Sequence, residues 1–408
     1  MDTAKRTVLV LSAVVFFVML GIAMITPDIA QYAKALGADP FLAGVLIGAL
    51  PAARVVLDLP AGALGDRFGN RRMMMYGLGI IVVSSMIAAL AFSYFVLLGA
   101  RFLEGVGSAF YVTSSLAALA KAAPPDRRGR YMGVYVNMLL LGQIFGPVIG
   151  GAVTIYGGLS APFWAYAGFA GVGLVLVTTT LALPDREGPA KFDWGAARRV
   201  LADRSFVLVN LGVLAAFFAR GGVITTVLPF FAQMNWGLGP AEAVATTGVM
   251  ITVMAGASLL TMYPSGLLAD RYGRKWTFVS SLLLMALALP FIYAARDLAS
   301  AIPTMAVVGL IFGLTGPMAS WATDLAPPES MGMAMGVYRT IGDVGFLLGP
   351  VVMGAVLQAT LLDGRVSQVP FLVASGWLAV TAVLLLTARD PAGERARARG
   401  ASGPPGIG

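Results

Sequence analysis

Neither histidine nor cysteine occurs among the 408 residues, which removes imidazole proton transfer, thiolate chemistry and disulfides together. Proton work is left to carboxylates, and three of them stand inside long apolar runs: Asp58, Glu104 and Asp343. Each has an arginine three or four residues before it, on the same face of a helix. Arg54 precedes Asp58, Arg101 precedes Glu104 and Arg339 precedes Asp343. Such a pair can do two things. It can sit as an inert ion pair, or it can bind and release a proton, because burial and the neighbouring cation pull the acid in opposite directions. These three acids are the proton-coupling candidates, with Glu104 first. Arg220 has no acid three or four positions away in its own run, so it is read as a seat for an anionic substrate group or a partner for Glu104. Arg54, Arg101, Arg220, Arg339 and Gln143 form the set of candidates for holding substrate or pairing charge. Asp28, just after Pro27, is expected in water at the outer end of its run.

The elements that position these groups must be membrane helices. Hydrophobic residues make up 58% of the chain and charged residues 12%, against roughly 25% charged in a soluble domain. Twelve runs are long enough to cross a bilayer, near 7–29, 41–63, 73–92, 94–120, 131–156, 162–183, 205–232, 241–267, 276–295, 299–323, 332–361 and 369–388. The first is read as a span and not as a cleaved leader, since a leader's apolar core is shorter. With both termini inside, 21 of the 28 Lys and Arg residues fall on the inner face and three on the outer. That asymmetry explains the net charge of +8 better than nucleic-acid binding does.

The chain is also written twice. Gly62-Ala63-Leu64-Gly65-Asp66-Arg67-Phe68-Gly69-Asn70-Arg71-Arg72 returns as Gly266-Leu267-Leu268-Ala269-Asp270-Arg271-Tyr272-Gly273-Arg274-Lys275, with Asp66 and Asp270 204 positions apart. Gly142, Gly146-Pro147 and Gly150 answer to Gly345, Gly349-Pro350 and Gly354. The expected fold is an all-α membrane protein with twelve transmembrane helices in two six-helix bundles related by a parallel internal repeat, with a site between them. The expected organisation is an N-terminal bundle over 1–183, a cytoplasmic linker over 184–204 carrying a short interfacial helix near Trp194–Asp203, a C-terminal bundle over 205–389, and a disordered tail over 390–408.

On these residues the chain resembles the major facilitator superfamily over essentially its whole length. The turns at 62–72 and 266–275 are similar to that superfamily's signature between spans two and three, with Asn70 departing from the usual arginine. Arg101 with Gly105 and Gly107 resembles a fourth-span motif. Gly142, Gly146, Pro147, Gly150 and Gly151 match a fifth-span motif that the family associates with proton-exchanging exporters. The resemblance implies alternating access with protons as the coupling ion. It also implies that spans two and eleven face each other, whence an expected ion pair of Asp58 with Arg339 or Arg54 with Asp343.

The turn residues Gly62, Asp66, Arg67, Gly69, Arg71, Gly266, Asp270, Arg271, Gly273 and Arg274 read as gating or as topology anchors. The Gly142 to Gly151 series reads first as close helix packing. Because charges inside lipid-embedded helices carry a penalty of roughly 2.5–3.5 kcal/mol each on insertion scales, single-copy charges point to function more than duplicated ones do. Phe16, Phe17, Phe110, Tyr111, Tyr135, Phe217, Phe218, Trp321 and Tyr338 could line a greasy pocket. No metal cluster, nucleophile motif or phosphate loop is present in the sequence, so no enzyme activity and no cofactor are expected. The function read from the sequence is a secondary transporter exporting small amphipathic compounds, a monomer in the cell membrane with both termini cytoplasmic. Proton-coupled uptake of a small metabolite, which could be an anion, is the alternative, and a non-transport membrane sensor or enzyme comes after it.

Overall fold

The computed structural model describes residues 3–124, 127–181, 194–327 and 330–394. Residues 184–193 of the expected linker over 184–204 and residues 395–408 of the expected disordered tail over 390–408 lie outside the described residues. Within them the chain is helical almost throughout: α1 (Thr3–Ile25), α2 (Ile29–Ala35), α3 (Pro40–Phe68), α4 (Asn70–Ala89), α5 (Tyr94–Ala122), α6 (Arg128–Gly157), α7 (Ala161–Thr180) and α8 (Trp194–Ala202). Then follow α9 (Arg204–Ala219), a π-helical stretch (Arg220–Val227), α10 (Leu228–Trp236), α11 (Pro240–Tyr272) and α12 (Arg274–Ala288). A 3₁₀ stretch (Leu289–Ala294) leads to α13 (Leu298–Gly313), α14 (Met318–Asp324), α15 (Met331–Ala359) and α16 (Val369–Leu385). Eleven of the described helical segments are long and apolar enough to cross a membrane, and α16, at 17 residues, is a shorter apolar helix in the place of the twelfth. The twelve-span, duplicated all-α architecture expected from the sequence is therefore the observed one.

The helices stop where the chain supplies a reason. Gly69 (φ 92°) and Gly273 (φ 98°) occupy the left-handed region at equivalent points of the two repeats, each separating two spans by a single residue. Asp39 and Ser93 cap α3 and α5 through Leu42 N and Val96 N, and Asp203 caps α9 through Ser205 N and Phe206 N. Asp297 and Ser300 form a capping box at α13; the Ser300 hydroxyl and then its backbone N–H hold this exposed carboxyl below its ordinary value.

Two compact units emerge. The first takes residues 1–192, 222–252 and 347–366, and the second takes 193–221, 253–346 and 367–408. In the first, α1 lies against α6 and α7, α4 lies between α5 and α7, and α3 lies against α5. Call the end where α1 begins proximal and the opposite end distal. The distal end is fastened by Tyr32, which donates to the carbonyls of Ala88 and Ala91 at 3.1 and 3.3 Å, and by Tyr94, which donates to the Leu42 carbonyl at 2.9 Å. Segments from later in the chain join there. Gln31 Nε2 donates to the Pro229 carbonyl at 2.9 Å, Lys34 to Gln233 Oε1 at 2.7 Å, and Gln358 Nε2 to Asp39 Oδ2 at 3.1 Å. In the second unit α12 packs on α16, and α16 on α9. Trp321, expected as a pocket aromatic, is instead fully buried structure: its indole donates to the Arg389 carbonyl at 2.9 Å and its ring meets Phe278 edge-on.

Glycine sets the spacing between α1 and α6. A Cβ at Gly142 would lie 2.8 Å from Leu20 N, one at Gly146 2.8 Å from the Leu20 carbonyl, and one at Gly150 against the Met24 backbone. Backbones that close exclude any side chain. Gly146→Leu is therefore expected to destabilise the protein by about 1–3 kcal/mol through overpacking. Gly168→Leu, on α7 with open space around it, should change stability little. Equilibrium unfolding of both variants in detergent checks this.

Candidate functional site

Arg101 and Glu104 sit on α5, one helical turn apart. Ser93 starts the helix, so at 1.5 Å per residue the pair lies roughly 12–17 Å in from the distal end, away from water. Two glycines bring the neighbouring helices onto that turn. A Cβ at Gly105 would stand 2.7 Å from Ala53 Cβ on α3, and one at Gly107 2.7 Å from the Gly77 carbonyl on α4. The sequence thus folds so that the charged turn is wedged between two backbones. Arg101 is 7% exposed and Glu104 1%.

Inside that wedge Arg101 Nη1 donates to Glu104 Oε2. Glu104 Oε1 and Arg101 Nε have no hydrogen-bond partner among the described residues. The pair is therefore half-satisfied: one carboxylate oxygen is neutralised and the other is open to a proton or a ligand donor. Taking an ion pair out of solvent is tolerable only while both partners remain, because removing one strands a buried charge.

The remaining candidates are placed as follows. Gln143 on α6 is half-buried with its amide 4.0 Å from Met19 Sδ. Arg54 and Asp58 on α3 are half-buried in the first unit, whereas Arg339 (half-buried) and Asp343 (8% exposed) on α15 belong to the second; each of the four is partnered. Arg220, a residue of the second unit, opens the π-helical stretch, its guanidinium 4.9 Å from the centroid of the Phe312 ring. Among the described residues it makes no ion pair, so cation–π contact is what holds it.

The turn residues resolve into different contacts in the two repeats. In the first, Arg71 donates to the Thr178 carbonyl at 2.6 Å, and Arg67 lies over Phe68 at 5.3 Å; Gly62 is half-buried, and the side chain of Asp66 lies outside the described residues. In the second, Arg274 pairs with Asp324 at 2.7 Å, and Lys275 meets Asp390 through its backbone N–H at 3.1 Å and the Leu386 and Ala388 carbonyls through its ammonium. Asp270 is exposed, Arg271 lies over Tyr272 at 5.4 Å, and Gly266 has open space around it. The packing residue Gly151 approaches Ala245 Cα to 2.6 Å at its Cβ position, and the Pro147 carbonyl abuts Gly248.

Three features escaped the sequence. Asp28 was expected in water and is fully buried. α1 ends at Ile25, the chain makes one turn in which Asp28 N–H donates to the Ile25 carbonyl at 3.0 Å and resumes as α2 at Ile29, and α6 brings Thr154 against the carboxyl. The π-helical stretch had a faint signal in Gly221-Gly222 followed by the β-branched run Val223–Thr226. The Arg274–Asp324 pair had none, since 50 residues separate its partners.

Similarity to known proteins agrees with the geometry. A family model described as Major Facilitator Superfamily matches residues 11–257 and again 241–406. An uncharacterized MFS-type transporter of Methanocaldococcus jannaschii is 25% identical over 365 residues, covering 87% of this chain and 92% of the relative. The tetracenomycin C resistance and export protein of Streptomyces glaucescens is 27% identical over 370 residues, covering 75% and 67%. Among solved structures, the nucleoside transporter NupG superposes with a TM-score of 0.76 at 14% identity, covering 95% of this chain and 99% of that one, a likeness of fold.

The half-satisfied pair gives a stability prediction. Arg101→Met alone should cost about 3–5 kcal/mol by stranding Glu104, while the double variant with Glu104→Leu should recover most of the loss. A double-mutant cycle in detergent, followed by unfolding, measures the coupling.

Proposed function

The chain belongs to the major facilitator superfamily, and from that membership we propose that it is a proton-coupled exporter of small amphipathic compounds. The membership makes it a multi-pass membrane protein and a secondary transporter of small molecules, not an enzyme. The observation that carries the finer reading is Glu104: a buried acid with one oxygen engaged by Arg101 and the other unpartnered among the described residues.

The chemistry follows from that geometry. While Glu104 is ionised, Arg101 neutralises it and the wedge between α3 and α4 carries no net charge. When a proton binds at Oε1, the attraction to Arg101 falls away and the guanidinium becomes an uncompensated cation in a dry site. Relief comes from movement toward water or toward another anion. A proton thus changes which arrangement of the helices is lower in energy, and that is what coupling requires. Asp58 and Asp343 are the alternates for the proton. The turns at 62–72 and 266–275 each hold the ends of their own helices through carbonyl and carboxylate contacts that break and re-form during transport. The glycines of α6 act in packing, and their bearing on the direction of transport comes with the family motif.

Orientation comes from the basic residues. The proposed orientation has the proximal end of the first unit and both termini in the cytoplasm, with the distal end outside the cell membrane; the 21-to-3 bias of basic residues supports it. The protein acts as a monomer. Export is supported by the likeness to a resistance and export protein, and amphipathic cargo by half-buried Phe16, Phe17, Phe217 and Tyr338 in the spans. One observation favours a second reading. Arg220, held by an aromatic ring alone among the described residues, is a seat for an anionic group, as uptake of an acidic metabolite would need.

Proteoliposomes separate the two. Compounds are first ranked by the thermal stabilisation they give the purified protein. For an exchanger, a liposome with an acid interior accumulates the compound, and Glu104→Gln abolishes the accumulation. Accumulation driven by an acid exterior, and lost in Arg220→Gln, establishes the uptake reading instead. Accumulation indifferent to either gradient overturns proton coupling.

A further inference from the structure

The carboxyl of Asp28 takes no part in anything above, yet it is the most completely buried acid among the described residues, at 0% exposure. It stands between Pro27 and α2, at the distal end of the first unit. Its Oδ1 is 3.4 Å from Thr154 Oγ1 on α6. That hydroxyl also donates to the Gly150 carbonyl at 2.9 Å, the shorter contact, so little of its single proton is left for the acid. Asp28 Oδ2 has no partner among the described residues.

Among the described residues no cation answers it. Lys34 is turned to Gln233 Oε1 at 2.7 Å. Asp39 is engaged by Leu42 N and Gln358 Nε2. Tyr32 and Tyr94 use their protons on the Ala88, Ala91 and Leu42 carbonyls. α10 carries no titratable residue. On α6 the basic residues Arg128 and Arg130 and the tyrosines Tyr131 and Tyr135 lie about five to seven turns from Thr154 toward the other end, and Tyr156 is 91% exposed. Tyr166 of α7 packs on Gly21, two turns down α1. A bare carboxylate in such a place is far costlier than a neutral acid with a hydrogen-bond acceptor.

An acceptor is three residues away. Gln31 is 1% exposed, and its Nε2 is fixed on the Pro229 carbonyl, which turns its Oε1 away from that contact. Gln31 Oε1, like Asp28 Oδ2, is buried without a partner among the described residues. Positions three apart share a helical face. Two orphan acceptors on one turn are both satisfied by a single added proton.

We propose that Asp28 is a proton-binding site at the distal end of the first unit, protonated in this arrangement with its O–H directed to Gln31 Oε1. The site is joined to the packing around it. The Gln31–Pro229 bond ties α2 to α10, so the amide that receives the proton's hydrogen bond also fastens a segment of the second repeat. Loss of that fastening admits water to Asp28, and ionisation of Asp28 removes a reason for the fastening. Protonation therefore stabilises α10 against α2, and deprotonation loosens it. This deepens the proton-coupled reading by adding a site on the outer side, separate from Glu104.

Infrared spectroscopy of the purified full-length protein at neutral pH tests it without any transport assay, so failure to find a substrate leaves the result standing. The wild type should show a protonated-carboxyl C=O band that is lost in Asp28→Asn and retained in Glu104→Gln. Gln31→Leu should shift that band, because the O–H loses its acceptor. The same variant keeps the test available if Asp28→Asn fails to fold. An identical carboxyl region in wild type and Asp28→Asn, or a band unmoved in Gln31→Leu, overturns the proposal.

Discussion

A charge inside a lipid-embedded helix must find its partner within the length of its own side chain, and the site depends on that constraint. Arg101 and Glu104 meet it by standing one turn apart on α5, so the wedge can be dry and still carry no net charge. Arg220 meets it differently, with the face of Phe312 in place of an anion. Arg274 reaches across to Asp324 near the end of its unit. Asp28 has no such answer, and a proton is the remaining way to neutralise it.

Close approach of helices makes those arrangements possible. Gly105 and Gly107 let α3 and α4 close over the charged turn of α5, and Gly142, Gly146 and Gly150 set α6 directly on the backbone of α1. Rigid contact at these points leaves movement to the interruptions: the break after Ile25, the single-residue turns at Gly69 and Gly273, and the π-helical stretch that begins at Arg220. A π-helical register leaves backbone groups misaligned with the preceding α-helix and so gives a span a place to bend. That Arg220, which makes no ion pair among the described residues, opens this stretch connects the bend to the second reading of the substrate.

The architecture was legible because lipid imposes a strong signal. Runs of about twenty apolar residues cannot be soluble segments, and a 21-to-3 bias of basic residues is not a property of folding alone. The Arg101–Glu104 pair was legible for a similar reason, since opposite charges three apart on a helix share a face. Asp28 was misread because the sequence shows an apolar run ending but not that α6, more than 120 residues later, brings Thr154 against its carboxyl. Arg274–Asp324 and Gln31–Pro229 were invisible, since they join residues 50 and 198 positions apart and only tertiary packing brings them together. Trp321 looked like cavity lining because an aromatic side chain in a span has the same composition whether it faces cargo or core.

We propose that Glu104 gives up its proton as substrate binds. The most direct test adds the best stabilising compound to purified protein in unbuffered detergent solution, following binding by fluorescence and proton release by an indicator dye. Wild-type protein should release protons as the compound binds, and Glu104→Gln should bind it with no release from that site. Equal release from both proteins, or binding by the wild type with no release at all, would contradict the claim that Glu104 couples the two.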